Sequence, residues 1–183
     1  MTLFARLLRN SLVTSVMGTF AWFALTFWVY IETQSVLATG VIGGNATSVE
    51  INANSSATAV TLRNITVASG GSIEVNAIGG SIATSAGSTL TANGTGGSVV
   101  LDATGANTLA GSIVSGGNVS IESGQATAVQ NTITAGGAIA ITAGTDISST
   151  AAGDITAGTT ATLAATGSVN ALLGDVVTGT GLT

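Results

Sequence analysis

From about residue 40 onward, apolar and polar residues alternate in short segments that end at glycine-rich corners. One such unit, residues 111–123, reads GSIVSGGNVSIES. Ile113 is an apolar anchor ahead of the Gly-Gly corner, and Val119 and Ile121 follow that corner in an alternating segment. Because alternate side chains of a β-strand point to the same face, the pattern predicts short strands with one apolar face each, joined at glycine corners.

The unit recurs along the chain at a nearly constant interval. The anchors are Val67, Leu90, Ile113, Ile133, Ile155 and Val176. A weaker apolar position closes most turns, at Ile82, Leu109, Val129, Ile147 and Val169. The anchors define a period of roughly 20–23 residues, and a fixed period of this size is typical of stacked supersecondary units.

Three short strands per period predict an all-β fold, a right-handed parallel β-helix (β-solenoid) of about six coils. Each strand would pair with its counterpart in the next coil, about 4.8 Å away. Glycines are expected at the corners because positive φ is needed there and a Cβ would be costly. A β-sandwich of short strands is the competing fold, but it gives no reason for the Gly-Gly corner to return in register.

Residues 1–38 differ in composition from the rest of the chain. All seven aromatic residues lie within the first thirty positions, and Arg6 and Arg9 precede an uncharged run over residues 10–31. As an apolar helix, this run would be long enough to cross a bilayer, with the arginines on the cytoplasmic side. Ala38 meets the small-residue requirement of signal peptidase. Residues 1–38 are therefore predicted to be a signal peptide cleaved between Ala38 and Thr39, or a signal-anchor retained in the membrane.

Residues 39–183 then form the repeat domain, which ends inside a repeat. Charge narrows the function classes for this domain. The chain has a net charge of −5 and only three basic residues, which argues against a nucleic-acid partner because phosphates demand a basic surface. It has neither histidine nor cysteine, so an imidazole base, a thiolate nucleophile and nitrogen or sulfur metal ligands are excluded. The prediction is a protein that is not an enzyme and has no cofactor.

Carboxylates are the remaining candidates for chemistry. Asp154 and Asp175 each stand immediately before an anchor, so stacked coils would bring them roughly 5 Å apart. Such a pair could bind Ca²⁺ or act as acid and base on a polysaccharide. Glu50 and Glu74 lie in similar positions between paired apolar residues. The competing interpretation is that these carboxylates are solvated and limit aggregation.

Threonine pairs suggest a second kind of surface. Thr-x-Thr occurs at 89–91 and 132–134, and a flat array of such pairs could order water, as in ice-binding solenoids. The equivalent positions elsewhere read Thr66/Ala68, Ser112/Val114 and Asp175/Val177, which interrupt the array. Threonine also favours strands for purely structural reasons.

Residues 118–124, NVSIESG, and 137–147, GAIAITAGTDI, resemble the degenerate repeats of filamentous-haemagglutinin-type exoproteins and related bacterial adhesins. The resemblance spans roughly residues 41–183. It implies export across both envelopes of a Gram-negative cell, a fibre-like β-helix, and adhesion to host or environmental surfaces, glycans among them. This chain is much shorter than such exoproteins.

These observations lead to three functional hypotheses. The first is a non-enzymatic, adhesin-like solenoid that is secreted or displayed at the cell surface. The second is a structural fibre subunit that polymerises end to end through open coil ends, since the sequence stops within a repeat. The third is a carbohydrate-active β-helix enzyme that uses Asp154 and Asp175.

Overall fold

The protein is a parallel β-solenoid of about six coils, seen in a computed structural model that describes residues 47–54, 59–167 and 169–183. The described residues form nineteen strands and contain no helix. Sheet A consists of β1 (Ser48–Ala53), β4 (Ser72–Ala77), β7 (Ser98–Ala103), β10 (Val119–Ser123), β13 (Ile139–Ala143), β16 (Thr160–Ala165) and β19 (Gly181–Leu182). Sheet B consists of β2 (Val60–Leu62), β5 (Ile82–Thr84), β8 (Asn107–Leu109), β11 (Thr127–Val129), β14 (Ile147–Ser149) and β17 (Val169–Leu172). Sheet C consists of β3 (Ile65–Val67), β6 (Thr89–Ala92), β9 (Ser112–Ser115), β12 (Ile133–Ala135), β15 (Ile155–Ala157) and β18 (Val176–Thr178).

Every strand pairs in parallel with its counterpart one coil away, which confirms the predicted stacking and excludes the β-sandwich. In sheet C, Leu90 aligns with Ile113, and the anchors from Ile113 to Val176 align as predicted. The first anchor was wrong, because Ile65 and not Val67 pairs with Leu90. The step from Ile65 to Leu90 is therefore longer than the predicted period, as is the step from β4 to β7 in sheet A. Both Ile65 and Val67 point inward, so alternation alone does not separate them.

The core is a narrow column of inward side chains from all three sheets. Ile, Val and Leu occupy most of its positions, and alanine fills the last inward position of many strands, where a corner begins. The largest fully buried side chains are Leu62, Ile73, Ile82, Leu90, Leu101, Leu109, Ile113, Ile121, Ile133, Ile139, Ile141 and Ile147. Because each coil packs only against the coils next to it, burial of these side chains stabilises each interface between neighbouring coils separately.

The weaker apolar position that was predicted to close most turns corresponds to two inward rows in the structure. Ile82 aligns with Asn107, whereas Leu109 aligns with Thr84 and Val129. Sheet B therefore carries two inward columns, and polar residues occupy places in both of them. The buried polar members are Thr84, Asn107, Thr127 and Ser149.

Thr84 and Ser149 each compensate for a change in corner length. The corner after Thr84 spans residues 85–88, whereas the equivalent corner one coil later has only residues 110–111. The Thr84 hydroxyl accepts a hydrogen bond from the Gly111 amide at 2.8 Å. The corner after Ser149 is also shorter in the next coil, and Ser149 Oγ accepts from the Gly174 amide at 3.2 Å. In other corners the acceptor is a backbone carbonyl: the Leu109 carbonyl oxygen accepts a hydrogen bond from the Gln130 amide. The inward hydroxyls thus satisfy amides that shortening would leave without a partner.

We expect Thr84→Val to destabilise the solenoid by about 1–3 kcal/mol, because it buries the Gly111 amide without an acceptor while conserving shape. The measurement is the free energy of unfolding from a denaturant titration. Thr61→Val is the matched control, since Thr61 lies on the exposed face of the same sheet and should change stability by less than about 0.5 kcal/mol. Equal effects of the two substitutions would contradict the role assigned to Thr84.

The two predicted causes of the glycine corners, positive φ and the cost of a Cβ, apply to different coils. Among the described glycines, positive φ occurs at Gly70, Gly79, Gly87, Gly94 and Gly96, all in the first three coils. The later corner glycines instead stack directly on one another. A Cβ on Gly136 would collide with the carbonyl oxygen of Gly116, and a Cβ on Gly158 with that of Gly136. Close approach of successive coils, and not positive φ, requires glycine there.

The predicted apolar helix, the cleavage point at Ala38–Thr39 and the boundary after residue 38 all lie outside the described residues. In the part of the chain that the structure describes, no helix is long and apolar enough to span a membrane.

Candidate functional site

Sheet A carries an outer face on which carboxylates and side-chain amides stack from coil to coil. We call it the acidic–amide face, and it consists of Glu50, Asn52, Glu74, Asn76, Asp102 and Glu122. Glu50 aligns with Glu74 in one column. In the neighbouring column Asn76 aligns with Asp102, and Asp102 with Glu122. Four of the eight acidic residues of the chain thus lie on one face of four consecutive coils.

Side-chain amides separate some of these charges. Asn76 Nδ2 donates to Asn52 Oδ1 at 2.8 Å and to Glu74 Oε1 at 3.2 Å, and Asn52 Nδ2 donates to Glu50 Oε1. These bonds hold the amides in an ordered ladder between neighbouring coils. The stacked carboxylates still repel each other, because paired strands lie only about 4.8 Å apart.

We expect Glu74→Gln to raise the thermal midpoint at low ionic strength, because it removes the repulsion with Glu50 and keeps an acceptor for Asn76. The gain should disappear at high salt, where exposed charges are screened. The measurement is thermal melting at two salt concentrations. Ser72→Ala, in the same strand but uncharged, should show no such salt-dependent gain. A gain that persists at high salt would show that repulsion is not its cause.

Asp154 and Asp175 lie at equivalent positions of consecutive coils, as predicted, because Ile155 aligns with Val176. The Asp154 carboxylate has a structural partner: its Oδ1 accepts a hydrogen bond from the Asp175 amide at 2.9 Å. Asn64 does the same for the Thr89 amide at 2.8 Å. Asp154 therefore has the same structural role as Asn64: its side-chain oxygen accepts a hydrogen bond from a backbone amide of the next coil. Among the described residues, no group of three or more acidic side chains is arranged to hold a metal ion.

Sheet C carries a regular outer column of β-branched residues. We call it the sheet C ladder, and it consists of Thr66, Thr91, Val114, Thr134, Thr156 and Val177, one residue per coil. The neighbouring outer column is polar and consists of Asn64, Thr89, Ser112, Thr132, Asp154 and Asp175. The predicted alignment of the threonine array was therefore wrong. It matched Thr66/Ala68 with Thr89/Thr91, whereas in the structure Thr66 pairs with Thr91, so that Asn64/Thr66 is the equivalent pair. The ladder is β-branched in all six coils.

Sequence reasoning missed Asp102 and Glu122 as members of the acidic–amide face. The signal was available in the alignment of VEINA (49–53), IEVNA (73–77), VVLDA (99–103) and VSIES (119–123), where the outward positions form two columns. A glutamate between two apolar residues identifies only the first column, which holds Glu50 and Glu74. It does not identify the second column, which holds Asp102 and Glu122. Comparisons of the chain with protein-family models, with curated proteins and with solved structures return no match. The resemblance to filamentous-haemagglutinin-type repeats thus remains a prediction.

Proposed function

We propose that this chain is an exported, non-enzymatic β-solenoid of the adhesin type, wound right-handedly, which binds a host or environmental surface through its outer ladders. The observation that supports the proposal is the register of sheets A and C, which repeats polar columns from coil to coil. Each contact from such a column is weak. Repetition along a rigid stack raises the effective concentration of the remaining contacts once the first has formed, so the total binding becomes strong.

The acidic–amide face and the sheet C ladder offer different chemistry for this purpose. The first presents carboxylates and amides, which hydrogen-bond to hydroxyl-rich surfaces such as glycans. The second presents hydroxyls and methyl groups. The core behind both faces is apolar and tightly registered, so the columns keep their spacing when they meet a surface.

Export and adhesion are tested together by producing the full chain in a Gram-negative host. We expect protease treatment of intact cells to degrade the chain, and mass spectrometry of the released protein to find Thr39 at its N-terminus if residues 1–38 are a signal peptide. Producing cells should attach to glycan-coated or abiotic surfaces more strongly than cells without the chain. A chain that stays inside the cell and confers no attachment would contradict the proposal.

Two other outcomes would favour the competing hypotheses. Growth of the purified chain into filaments with rising concentration, seen by sedimentation, would favour the fibre subunit. Hydrolysis of a polysaccharide that is lost in the Asp154→Asn, Asp175→Asn double variant would favour the carbohydrate-active enzyme. The double variant keeps the oxygen at residue 154 that accepts from the Asp175 amide, so its fold should be retained.

A further inference from the structure

The four threonines of the sheet C ladder, Thr66, Thr91, Thr134 and Thr156, point outward in one aligned column. Some hydroxyls elsewhere in the solenoid are occupied: Thr104 accepts from the Gly79 amide, and Thr127 pairs with Ser123. Within the part of the chain that the structure describes, the side-chain hydroxyls of the four ladder threonines form no hydrogen bond with another residue. These hydroxyls remain available for water, and each stands beside a γ-methyl group.

The polar column beside the ladder is fixed by contacts between coils. Thr132 Oγ1 donates to Ser112 Oγ at 3.3 Å, and the Asn64 and Asp154 side chains each accept an amide of the next coil. Side chains held in this way lose little conformational freedom on binding. Behind the ladder, the inward residues of the same strands are fully buried anchors such as Ile113 and Ile133. The ladder and the polar column beside it are therefore regularly spaced both from coil to coil and along the chain, and this arrangement exists before anything binds.

From these observations we propose that the sheet C ladder binds ice, by ordering a layer of water that merges with the ice lattice. Ladder positions recur about every 4.8 Å from coil to coil, and four of the six carry a hydroxyl. The polar column lies two residues before the ladder, roughly 7 Å away in an extended chain, and in four coils its residue directly precedes the strand. Such a grid of hydrogen-bonding groups and methyl groups has spacings of the same order as those between oxygen atoms in ice. The methyl groups hold the water in cages between hydroxyls that anchor it. This inference deepens the proposed surface-binding function, on which it rests, by naming the surface.

The dimensions and chemistry of the face distinguish ice from a protein partner. The two outer columns over six coils cover on the order of 250 Å², whereas a stable protein interface needs about 800 Å² from each partner. The ladder itself has no charge, and the two carboxylates of the polar column, Asp154 and Asp175, lie in its last two coils, so the first four coils of the face are uncharged. The described residues contain no aromatic side chain on which a sugar ring could stack. Binding to a crystal of water requires neither charge nor aromatic contacts, because hydroxyl and methyl groups are sufficient to order water.

The other two sheets lack this combination. The outer face of sheet A carries the stacked carboxylates of the acidic–amide face, and charges hold water in their own hydration shells. The central outer column of sheet B alternates threonine with alanine, because Ala83 lies between Thr61 and Thr108. Val114 is the one position between Thr66 and Thr156 where the sheet C ladder lacks a hydroxyl.

Ice binding is tested on the purified full chain by inhibition of ice recrystallisation and by thermal hysteresis. We expect Val114→Thr to improve both, because it joins five hydroxyls in consecutive coils. The Thr91→Lys, Thr134→Lys double variant should need about tenfold more protein or greater for the same inhibition, since two bulky charges break a multivalent face. The matched control is the Thr61→Lys, Thr108→Lys double variant on the outer face of sheet B, which should leave inhibition unchanged. Circular dichroism melting checks that each variant is folded.

The possible results distinguish a failure of ice binding from a failure of the proposed adhesin function. If the chain attaches cells to glycan or abiotic surfaces but neither it nor Val114→Thr affects ice, the ice-binding inference is overturned and the adhesin proposal stands. If the chain affects neither ice nor attachment, both are overturned. Equal loss of ice inhibition in the sheet C and sheet B double variants would also overturn the inference, since the effect would not depend on the ladder.

Discussion

Replacing Ile133 with aspartate is expected to unfold the central coils of the solenoid. Ile133 has no exposed surface and lies between Ile113 and Ile155 in the inward column of sheet C. An aspartate there would bury a carboxylate among apolar side chains with no partner of opposite charge. We expect a loss of about 4 kcal/mol or more. The measurement is the loss of β-structure by circular dichroism during thermal or denaturant unfolding.

Because each coil packs only on its neighbours, the damage should spread from the substituted coil to the coils on either side. Thr134→Asp is the matched control, since it places the same charge at the next position, on the exposed face of the same strand. We expect the control to melt close to the natural protein. If both variants melt alike, the inward assignment of Ile133 is wrong.

Alternation predicted the strands well because it reports directly on which face of a strand is buried. The segments at Val49/Ile51, Val99/Leu101 and Ile139/Ile141 all form sheet A strands with these residues pointing inward. Alternation does not determine the register between coils. A shift by one full alternation, such as the exchange of Ile65 for Val67, leaves every side chain on its original face. The regular spacing of the later coils therefore gave a correct register, whereas the longer early coils did not.

The candidate faces were harder to predict because they depend on corner lengths. A column on an outer face forms only when equivalent residues of successive coils are aligned, and a longer or shorter corner shifts that alignment. The step from Asp102 to Glu122 follows the regular period, whereas the step from Asn76 to Asp102 is longer. The stacking of Asp154 on Asp175 was predictable because the whole step between them has the length of the regular period, although the corner that ends at Asp175 is shorter and β17 contains a register irregularity. The use of the Asp154 carboxylate as an acceptor for the next coil depends on backbone geometry that the sequence does not reveal.

Replacing Gly136 with alanine is expected to destabilise the solenoid by about 2–4 kcal/mol, although alanine at an ordinary φ normally stabilises a chain. The corner glycines stack in one column, in which each would-be Cβ after the first points at the carbonyl oxygen of the glycine one coil before. The column consists of Gly94, Gly116, Gly136, Gly158 and Gly179. Amide hydrogen bonds of 2.9 Å from Gly136 to Ser115 and 2.8 Å from Gly158 to Ala135 fix the coils at this distance. The new methyl group must therefore separate two coils and weaken the bonds beside it.

The sign of the change in unfolding free energy distinguishes the two explanations for these glycines. Gly136 does not have positive φ, so a requirement for backbone freedom predicts no loss, and reduced entropy of the unfolded chain predicts a small gain. Close approach of the coils predicts a loss. Gly181→Ala is the matched control, because Gly181 has ordinary φ and nothing within 4 Å of the added Cβ. We expect the control to melt at or slightly above the temperature of the natural protein, and a stabilised Gly136→Ala variant would contradict the stacked-glycine explanation.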